Sequence, residues 1–599
     1  MVTIVGPEGD LKVAFVVCSL DGPPEDIARR AWRDFDAGFD FPARQTMQIP
    51  TSGGWDAGFQ IVHDVPAAQS RSAITVLRTW GDHAYCVLVL GTKASINRRM
   101  AQIMEVMESW KPEGLRAPNL AGAERKEWSE NESAQMREFL RLGMAELQIP
   151  GVAMAVVQAG RIVFAEGFGI CGIGSSEAVQ PDTRFMIGSN TKPLTTLMMA
   201  RLVARGNFDW STPVTQLLPD FALADPELTR KLEMRHTVAA STGMPPRDMD
   251  LMFKFKGITP EQRLAEMKEM KPTTAFGETF QYSNYMVALG GYAAARSFRP
   301  ENSLKDAYEQ AMQELIFGPL GMERSGFNEG HGEHRASPHA IGFDGRCELL
   351  DPTMERFADA IAPAGGGCWS SAIDMARYVL LELNRGKLPD GEQLLPEDVL
   401  LERRKRITRI TDTMSYGLGL LRSDEDGLDV VSHGGMTLGF TSDLYFLPEN
   451  DVGVVLLTNL YAANLLAAAR QKVFELLFGA PAKSRQMIEA ASLAETQAIA
   501  RRRARVKLGA EAAAWLDGIA GEYQSRELGL LIVRRREGGY WGEFESWATP
   551  LGIEEQSDGR PRVALVGPGL IHALRLEVED DAKALVLNQG QHVYRFERP

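Results

Sequence analysis

The stretch Phe185-Met-Ile-Gly-Ser-Asn-Thr-Lys-Pro193 opens a helical pattern that runs to about Arg205. Ser189 and Lys192 are three residues apart, so a helix that begins at the serine places both on one face. A serine hydroxyl is a weak nucleophile without a neighbouring base, and lysine is able to be that base when burial lowers its pKa. The stretch therefore predicts a nucleophilic serine at a helix N-terminus, where backbone N–H groups favour an oxyanion.

Two more patterns give this serine motif its weight. Tyr282-Ser283-Asn284 is the only Tyr-x-Asn sequence in the chain, His433-Gly434-Gly435 is the only His-x-Gly, and Ser-x-x-Lys also occurs once. About one Ser-x-x-Lys match is expected by chance in a chain of this length, so that motif alone proves little. The three patterns are predicted to lie at a helix start, in a loop, and in a strand followed by glycines.

In this order the motifs resemble those of the penicillin-recognising serine hydrolases. This group includes class C β-lactamases, DD-carboxypeptidases, D-aminopeptidases and β-lactamase-like carboxylesterases. The resemblance covers roughly residues 130–480 and extends to six flanking stretches: Ile149-Pro-Gly-Val-Ala, Asp182-Thr-Arg-Phe, Ser241-Thr-Gly-Met-Pro, Ala364-Gly-Gly-Gly, Tyr416-Gly-Leu-Gly and Gly435-Met-Thr-Leu-Gly-Phe. The sequence lacks the Gly-x-Ser-x-Gly elbow, which argues against an α/β-hydrolase.

The resemblance implies a role for the first and last residue of each of the first two motifs. Ser189 corresponds to the nucleophile and Lys192 to its activating partner. Tyr282 corresponds to a proton shuttle, whose pKa we expect cationic neighbours such as Lys192 to lower. Asn284 corresponds to the residue that hydrogen-bonds both the lysine and the acyl side chain of the substrate.

The third motif implies the substrate-binding strand. His433 is the fifth expected catalytic residue, and Gly434 and Gly435 are expected to let backbone approach the substrate. The backbone N–H groups of Ser189 and Met436 correspond to the oxyanion hole. No cofactor and no metal ligand is expected.

Two departures from the family pattern bear on the substrate. His433 stands where β-lactamases carry the lysine of Lys-Thr-Gly, and the sequence leaves open whether this histidine is charged. Ala240-Ser-Thr-Gly243 stands where the family has His-Thr-Ser-Gly, which leaves the local support of the site in question. We expect amide or peptide hydrolysis, including peptides with D-residues. Short-chain ester hydrolysis is the alternative, and a weak β-lactamase or a non-catalytic sensor or scaffold is less favoured.

The order of predicted elements gives an α+β multidomain fold. Residues 131–480 are expected to form an α/β/α core around an antiparallel sheet that strands from both ends of the segment assemble. Residues 1–115 are expected to form a small α+β domain, followed by a linker over 116–130. A helical connector over 481–516 leads to an antiparallel, lipocalin-like barrel or sandwich over 517–599.

Composition limits the partners. The net charge of −14 argues against nucleic acid, so we expect the run Arg501-Arg-Arg-Ala-Arg505 to be a solvated helix face. No membrane span and no signal peptide is predicted, which fits a cytoplasmic protein or a trimmed secreted one. His331, His334 and His339 lack the zinc-helix spacing and are expected not to bind metal. The flanking domains leave oligomer formation open.

Overall fold

A computed structural model of the chain describes residues 2–49, 53–66, 71–327, 334–556, 559–569, 574–579 and 582–599. The chain divides into two compact units. The central unit comprises Ala121–Ala340 and Cys347–Gly479, and the flanking unit comprises Met1–Leu120, Ile341–Arg346 and Ala480–Pro599. Over the described ranges, no helix combines the length and the apolar character that a membrane crossing requires.

An antiparallel sheet of eight strands forms the middle of the central unit. In spatial order its strands are Thr408–Arg409, Met414–Tyr416, Leu421–Glu425, Leu428–Thr437, Phe440–Leu447, Val452–Thr458, Gly151–Gln158 and Arg161–Gly169. The pairing of Val452–Thr458 with Gly151–Gln158 joins strands from the two ends of the unit, as predicted. Both strands are almost entirely apolar and fully buried, because helices cover both faces of the sheet.

The helical layers follow from the alternation of side chains along the strands. On one face, Val455 belongs to the large hydrophobic cluster that also contains Val379 of the helix Ala372–Leu383. On the other face, the ring of Tyr445 packs edge-on against Phe474, with centroids 6.2 Å apart. The predicted α/β/α core is therefore confirmed.

The α-helices of the central unit are Glu130–Glu146, Thr191–Ala204, Val214–Leu217, Pro226–Lys231, Met234–Val238, Asp248–Phe253, Pro260–Ala265, Asn284–Phe298, Leu304–Met312, Ala372–Leu383, Glu397–Glu402 and Ala463–Phe478. The 3₁₀ segments are Gly188–Asn190, Glu266–Glu269 and Pro352–Ala364, a π-helical turn spans Gln313–Phe317, and the short strands are Phe185–Met186, His339–Ile341, Cys347–Leu349 and Trp369–Ser370.

Two of these helices lie in the core and carry two of the predicted site residues, Lys192 and Asn284, in their first turns. In the helix Thr191–Ala204 every residue from Thr191 to Leu202 is buried, which fits a sequence without a polar stripe. The helix Asn284–Phe298 packs against it through Gly291, where an added Cβ would lie 2.9 Å from Thr195 Cγ2. This close approach brings the starts of the two helices together.

The N-terminal part of the flanking unit is a six-stranded antiparallel sheet with helices, which confirms the α+β arrangement predicted for this segment. The last two helices of this part, Lys93–Arg98 and Met100–Ser109, meet at Arg99. In spatial order the strands are Val2–Val5, Lys12–Ser19, His83–Gly91, Ser72–Trp80, Ala57–His63 and Ala43–Gln48, and the helices are Pro24–Phe35, Lys93–Arg98 and Met100–Ser109.

The C-terminal part is a barrel, as predicted. Its eight strands close because Ala548–Glu555 pairs with Pro561–Leu565 as well as with Gly539–Phe544. Around the barrel the strands are Gly521–Ser525, Gly529–Arg536, Gly539–Phe544, Ala548–Glu555, Pro561–Leu565, Arg575–Glu579, Ala584–Asn588 and Val593–Glu597. The alternating stretch His572-Ala-Leu-Arg-Leu-Glu-Val578 also predicts a strand, and its first two residues lie outside the described residues.

The connector before the barrel consists of the helix Ser484–Arg505, the short strand Val506–Lys507 and the helix Ala510–Asp517. The expectation that its arginine run is a solvated face holds for Arg503 and Ala504, which are exposed, but is wrong for Arg501 and Arg505. Arg505 donates a hydrogen bond to Asp64 Oδ2 over 2.8 Å, and Arg501 donates to the carbonyl of Thr46 over 2.8 Å. These arginines instead tie the connector to the N-terminal sheet within the flanking unit.

Candidate active site

Ser189 lies in a 3₁₀ turn, Gly188–Asn190, that connects the strand Phe185–Met186 to the helix Thr191–Ala204. The α-helix thus begins two residues after the serine, and the 3₁₀ turn leads into it without a break. Gly188 has a φ of 53°, and an added Cβ would lie 2.7 Å from the backbone nitrogen of Met436. Glycine is therefore required before the serine, both for the backbone conformation and for this contact.

Lys192 lies beside Ser189, with its Nζ 2.9 Å from Ser189 Oγ. The same Nζ donates to Asn284 Oδ1 over 2.8 Å and to the carbonyl of Ala364. Its side chain is fully buried, and burial lowers the pKa of Lys192 to about 7, although the negative charge of Asp248 opposes the shift. A large share of neutral amine is therefore present near pH 7, and a neutral amine is able to accept the serine proton.

Tyr282 approaches the serine from the other helix start. Its hydroxyl donates to Ser189 Oγ over 3.0 Å, and Lys192 Nζ lies 4.7 Å from the centre of its ring. The expectation that cationic neighbours lower the pKa of Tyr282 is wrong for this arrangement. Burial raises the pKa of Tyr282, and the hydrogen bond with Ser189 offsets only part of that increase. The phenol is therefore neutral and carries a proton that it is able to donate.

His433 lies in the strand Leu428–Thr437 and is buried. Its Nδ1 is 2.7 Å from the carbonyl oxygen of Gly434, and its Nε2 is 3.0 Å from the hydroxyl of Tyr416. A carbonyl oxygen only accepts hydrogen bonds, so these partners assign the proton to Nδ1 and leave Nε2 as an acceptor. Burial and the charge of Lys192 lower the pKa of His433 to about 3, which makes this histidine neutral at pH 7.

The strand that carries His433 borders the serine turn. It pairs with Leu421–Glu425 only as far as Ser432, while its other edge pairs with Phe440–Leu447 to Thr437. A Cβ added at Gly435 would lie 2.0 Å from the carbonyl oxygen of Ile187, so glycine lets the strand approach the chain just before Ser189. At Gly434 the nearest atom would be 3.9 Å away, and there packing does not require glycine.

Two glycine-containing stretches that the sequence singled out also border the site. Gly365 follows the carbonyl that accepts from Lys192, and an added Cβ there would lie 2.9 Å from Ser189 N. In the stretch without the family histidine, the carbonyl of Ala240 accepts a hydrogen bond from Gln281 N over 2.7 Å. Backbone contacts therefore support the segment that presents Tyr282.

Asp248 is a site residue that the sequence reasoning missed. Its Oδ1 accepts a hydrogen bond from Asn284 Nδ2 over 2.9 Å, on the side of the amide that faces away from Lys192. Burial raises the pKa of Asp248, and the bond from Asn284 and the charge of Lys192 oppose that increase. No motif marks this residue, because only the tertiary fold brings it to Asn284.

The histidines considered as metal ligands have other contacts. His334 Nδ1 lies 2.9 Å from a carboxylate oxygen of Glu177. His339 accepts from Ile173 N over 3.0 Å, and its Nδ1 lies 3.0 Å from the carbonyl oxygen of Asn459. His331 lies outside the described residues, within which no three His, Cys, Asp or Glu side chains are placed to hold a metal ion.

Comparison with known proteins gives a family match over most of the central unit. The model of the family described as Beta-lactamase matches residues 136–476. Unguisins hydrolase ungD of Aspergillus violaceofuscus is 25% identical over 366 residues, which cover 56% of this chain and 63% of that protein. Penicillin-binding protein 4 of Amycolatopsis lactamdurans is 26% identical over 327 residues, which cover 52% of this chain and 82% of that protein.

The similarity to two further proteins covers different shares of the chain. Protein flp of Staphylococcus aureus is 22% identical over 320 residues, which cover 52% of this chain and 60% of that protein. The match to this protein and to the unguisins hydrolase thus spans less than two thirds of their lengths. The octameric penicillin-binding protein homologue from Pyrococcus abyssi has a TM-score of 0.48 at 19% identity, over 78% of this chain and 100% of that chain.

Proposed function

Since this chain belongs to the beta-lactamase family and is a serine hydrolase, we propose that it cleaves amide or peptide bonds through an acyl-enzyme on Ser189. The observation that carries the proposal is the placement of two proton-handling groups at the serine. Lys192 Nζ and Tyr282 Oη lie 2.9 Å and 3.0 Å from Ser189 Oγ, within reach for general acid–base catalysis. We assign the catalytic role to the segment 131–480.

Acylation begins when the neutral amine of Lys192 accepts the Ser189 proton as Oγ attacks the substrate carbonyl. The oxyanion forms beside the backbone N–H groups of Ser189 and Met436, which stabilise it as hydrogen-bond donors. Tyr282 donates its phenolic proton to the leaving group and regains a proton from Lys192. Water then attacks the acyl-enzyme along the same proton route in reverse and releases the acid.

The neutral state of His433 bears on the choice between substrate classes. A neutral imidazole at this position offers no permanent cation for a substrate carboxylate, which disfavours a dedicated β-lactamase. Similarity to an unguisins hydrolase and to a penicillin-binding protein supports an acyl-transfer enzyme. Short-chain esters are a second candidate class, because an uncharged ester needs no such cation and acylates a serine easily.

The test compares kcat/KM on a panel of D- and L-amino-acid amides with kcat/KM on p-nitrophenyl acetate and butyrate. We expect hydrolysis of amides, with Ser189→Ala inactive on every substrate. Hydrolysis of the esters but not of the amides would contradict amide cleavage and favour an esterase. Failure to hydrolyse either class, or hydrolysis that survives in Ser189→Ala, would contradict the proposed function.

A further inference from the structure

Asp248, Asn284 and Lys192 form a continuous chain of hydrogen bonds that ends at the nucleophile. Asp248 Oδ1 accepts from Asn284 Nδ2 over 2.9 Å, and Asn284 Oδ1 accepts from Lys192 Nζ over 2.8 Å. Lys192 Nζ is in turn 2.9 Å from Ser189 Oγ. Asp248 begins the helix Asp248–Phe253 and Asn284 begins Asn284–Phe298, so two separate elements meet at this point.

The chemistry of these groups allows one orientation of the Asn284 amide. A carboxylate only accepts hydrogen bonds and an ammonium only donates them, while an amide has one end of each kind. With Asp248 on one side and Lys192 on the other, the NH₂ group must face the carboxylate and the oxygen must face the amine. The reverse orientation would place oxygen against carboxylate and NH₂ against ammonium. The chemistry of the two neighbours therefore fixes the orientation of the Asn284 amide.

We infer that Asp248 is a positioning residue for acylation, which fixes the Asn284 amide and through it holds Lys192 against Ser189. The inference rests on the proposed function of Ser189 and deepens it. Asp248 also acts on the charge of the base, because its carboxylate stabilises the ammonium form of Lys192. Without Asp248, the neutral form of Lys192 is therefore more populated, but the amine is held less well against Ser189.

The protonation of Lys192, and with it the pH dependence of Ser189 labelling, is affected by every titratable group that faces the amine. These are Asp248 from its helix, Tyr282 from the preceding loop and His433 from the strand Leu428–Thr437. Tyr282 and His433 are both neutral at pH 7, so neither compensates for the loss of the carboxylate. The sign follows directly: without Asp248 the ammonium form is less favoured, and neutral Lys192 persists to lower pH.

The experiment measures the rate of Ser189 labelling by a fluorophosphonate between pH 5 and 9 by mass spectrometry, which needs no substrate. The acid limb is the range at low pH in which the labelling rate falls, and for Asp248→Asn we expect it to move down by about one pH unit. For Asp248→Ala we expect the same shift, and also a maximum labelling rate at high pH that is about 10²-fold lower. Asp250→Asn is the matched control, because Asp250 lies on the same helix and pairs with Arg247 over 2.8 Å. It should leave the acid limb in place.

A reciprocal exchange separates positioning from folding. Asn284→Asp alone places two carboxylates next to each other. When it is combined with Asp248→Asn, the carboxylate at position 284 accepts from Lys192 and the amide at position 248 donates to that carboxylate. We expect the double variant to label faster than Asn284→Asp. An acid limb in Asp248→Asn that matches wild type, or a double variant no faster than Asn284→Asp, overturns the inference alone. A wild-type Ser189 that does not label overturns the proposed function together with it.

Discussion

Lys192 and Glu382 are both fully buried ionisable residues, and their surroundings give them opposite properties. Glu382 lies between two arginines, 2.6 Å from Arg403 and within ion-pair contact of Arg404. Burial acts to raise the pKa of Glu382, but the two arginines outweigh it and lower the pKa to about 2. The partners of Lys192 Nζ are neutral oxygens, and burial there lowers the pKa to about 7.

The arginine–glutamate cluster around Glu382 contacts the helix that carries Lys192. Arg403 donates to the carbonyl of Pro193 over 2.7 Å and to Thr196 Oγ1 over 3.2 Å, both in the helix that carries Lys192. The paired cluster therefore fixes the helix, while the unpaired lysine keeps a titratable proton. Burial alone does not predict function; the absence of a direct counter-charge at Lys192 distinguishes a base from a structural ion.

The largest effect is expected at the unpaired lysine. Lys192→Ala removes the base, and we expect kcat/KM to fall by about 10⁴-fold, the upper end for general-base catalysis. Lys192→Arg is the matched variant, because arginine keeps the charge but cannot release its proton near neutral pH. Steady-state kinetics should show both variants equally impaired. An active arginine variant would show that charge, and not proton transfer, is the contribution of this residue.

The next effect is expected in the paired cluster. Glu382→Gln leaves two arginines buried without a counter-charge, and we expect a loss of about 3–5 kcal/mol in the free energy of unfolding, measured by denaturant titration. Glu397→Gln is the control, because its partner Arg385 lies 2.8 Å away in a pair with both side chains about half exposed. It should cost less than about 1 kcal/mol. Equal losses in the two variants would remove the contrast between buried and exposed pairs.

A smaller loss of activity is expected at Tyr282. Tyr282→Phe keeps the ring beside Lys192 but removes the proton donor, and we expect kcat/KM to fall by about 10²-fold. The loss should be larger for amides than for p-nitrophenyl esters, because p-nitrophenolate leaves without protonation. An equal loss on both substrates would argue that the hydroxyl orients Ser189 and does not protonate the leaving group.

The mildest perturbation is a change of pH. Because the neutral amine of Lys192 is the reactive form, kcat/KM should fall about tenfold for each pH unit below the pKa of about 7. His433 should add no inflection between pH 5 and 8, since its pKa of about 3 keeps it neutral over that range. A wild-type profile that is flat from pH 5 to 8 would contradict the assignment of Lys192 as the base.

Local patterns in the sequence predicted much of this arrangement. The spacing of Ser189 and Lys192 placed the two side chains together, and the strand before Gly434 was recognisable from its apolar residues. The barrel and the shared sheet followed from strand spacing. These features depend on periodicity along one segment, which sequence carries directly.

Features that depend on long-range packing could not be predicted. Asp248 precedes Asn284 by 36 residues, and no spacing rule links a helix start to a later one. The expected direction of the Tyr282 pKa was wrong because burial outweighs the hydrogen bond with Ser189, and burial is a property of the folded chain. The ion pair of Arg505 was missed for the same reason, since Asp64 reaches this arginine only in the tertiary structure.

The most direct test of the central claim is the mapping of a fluorophosphonate adduct by peptide mass spectrometry as a function of pH. We expect a single adduct on Ser189, with a labelling rate that falls as the pH drops below about 7 and that is lost in Lys192→Arg. An adduct on another residue would contradict it. So would labelling of Ser189 at a rate that does not change between pH 5 and 8.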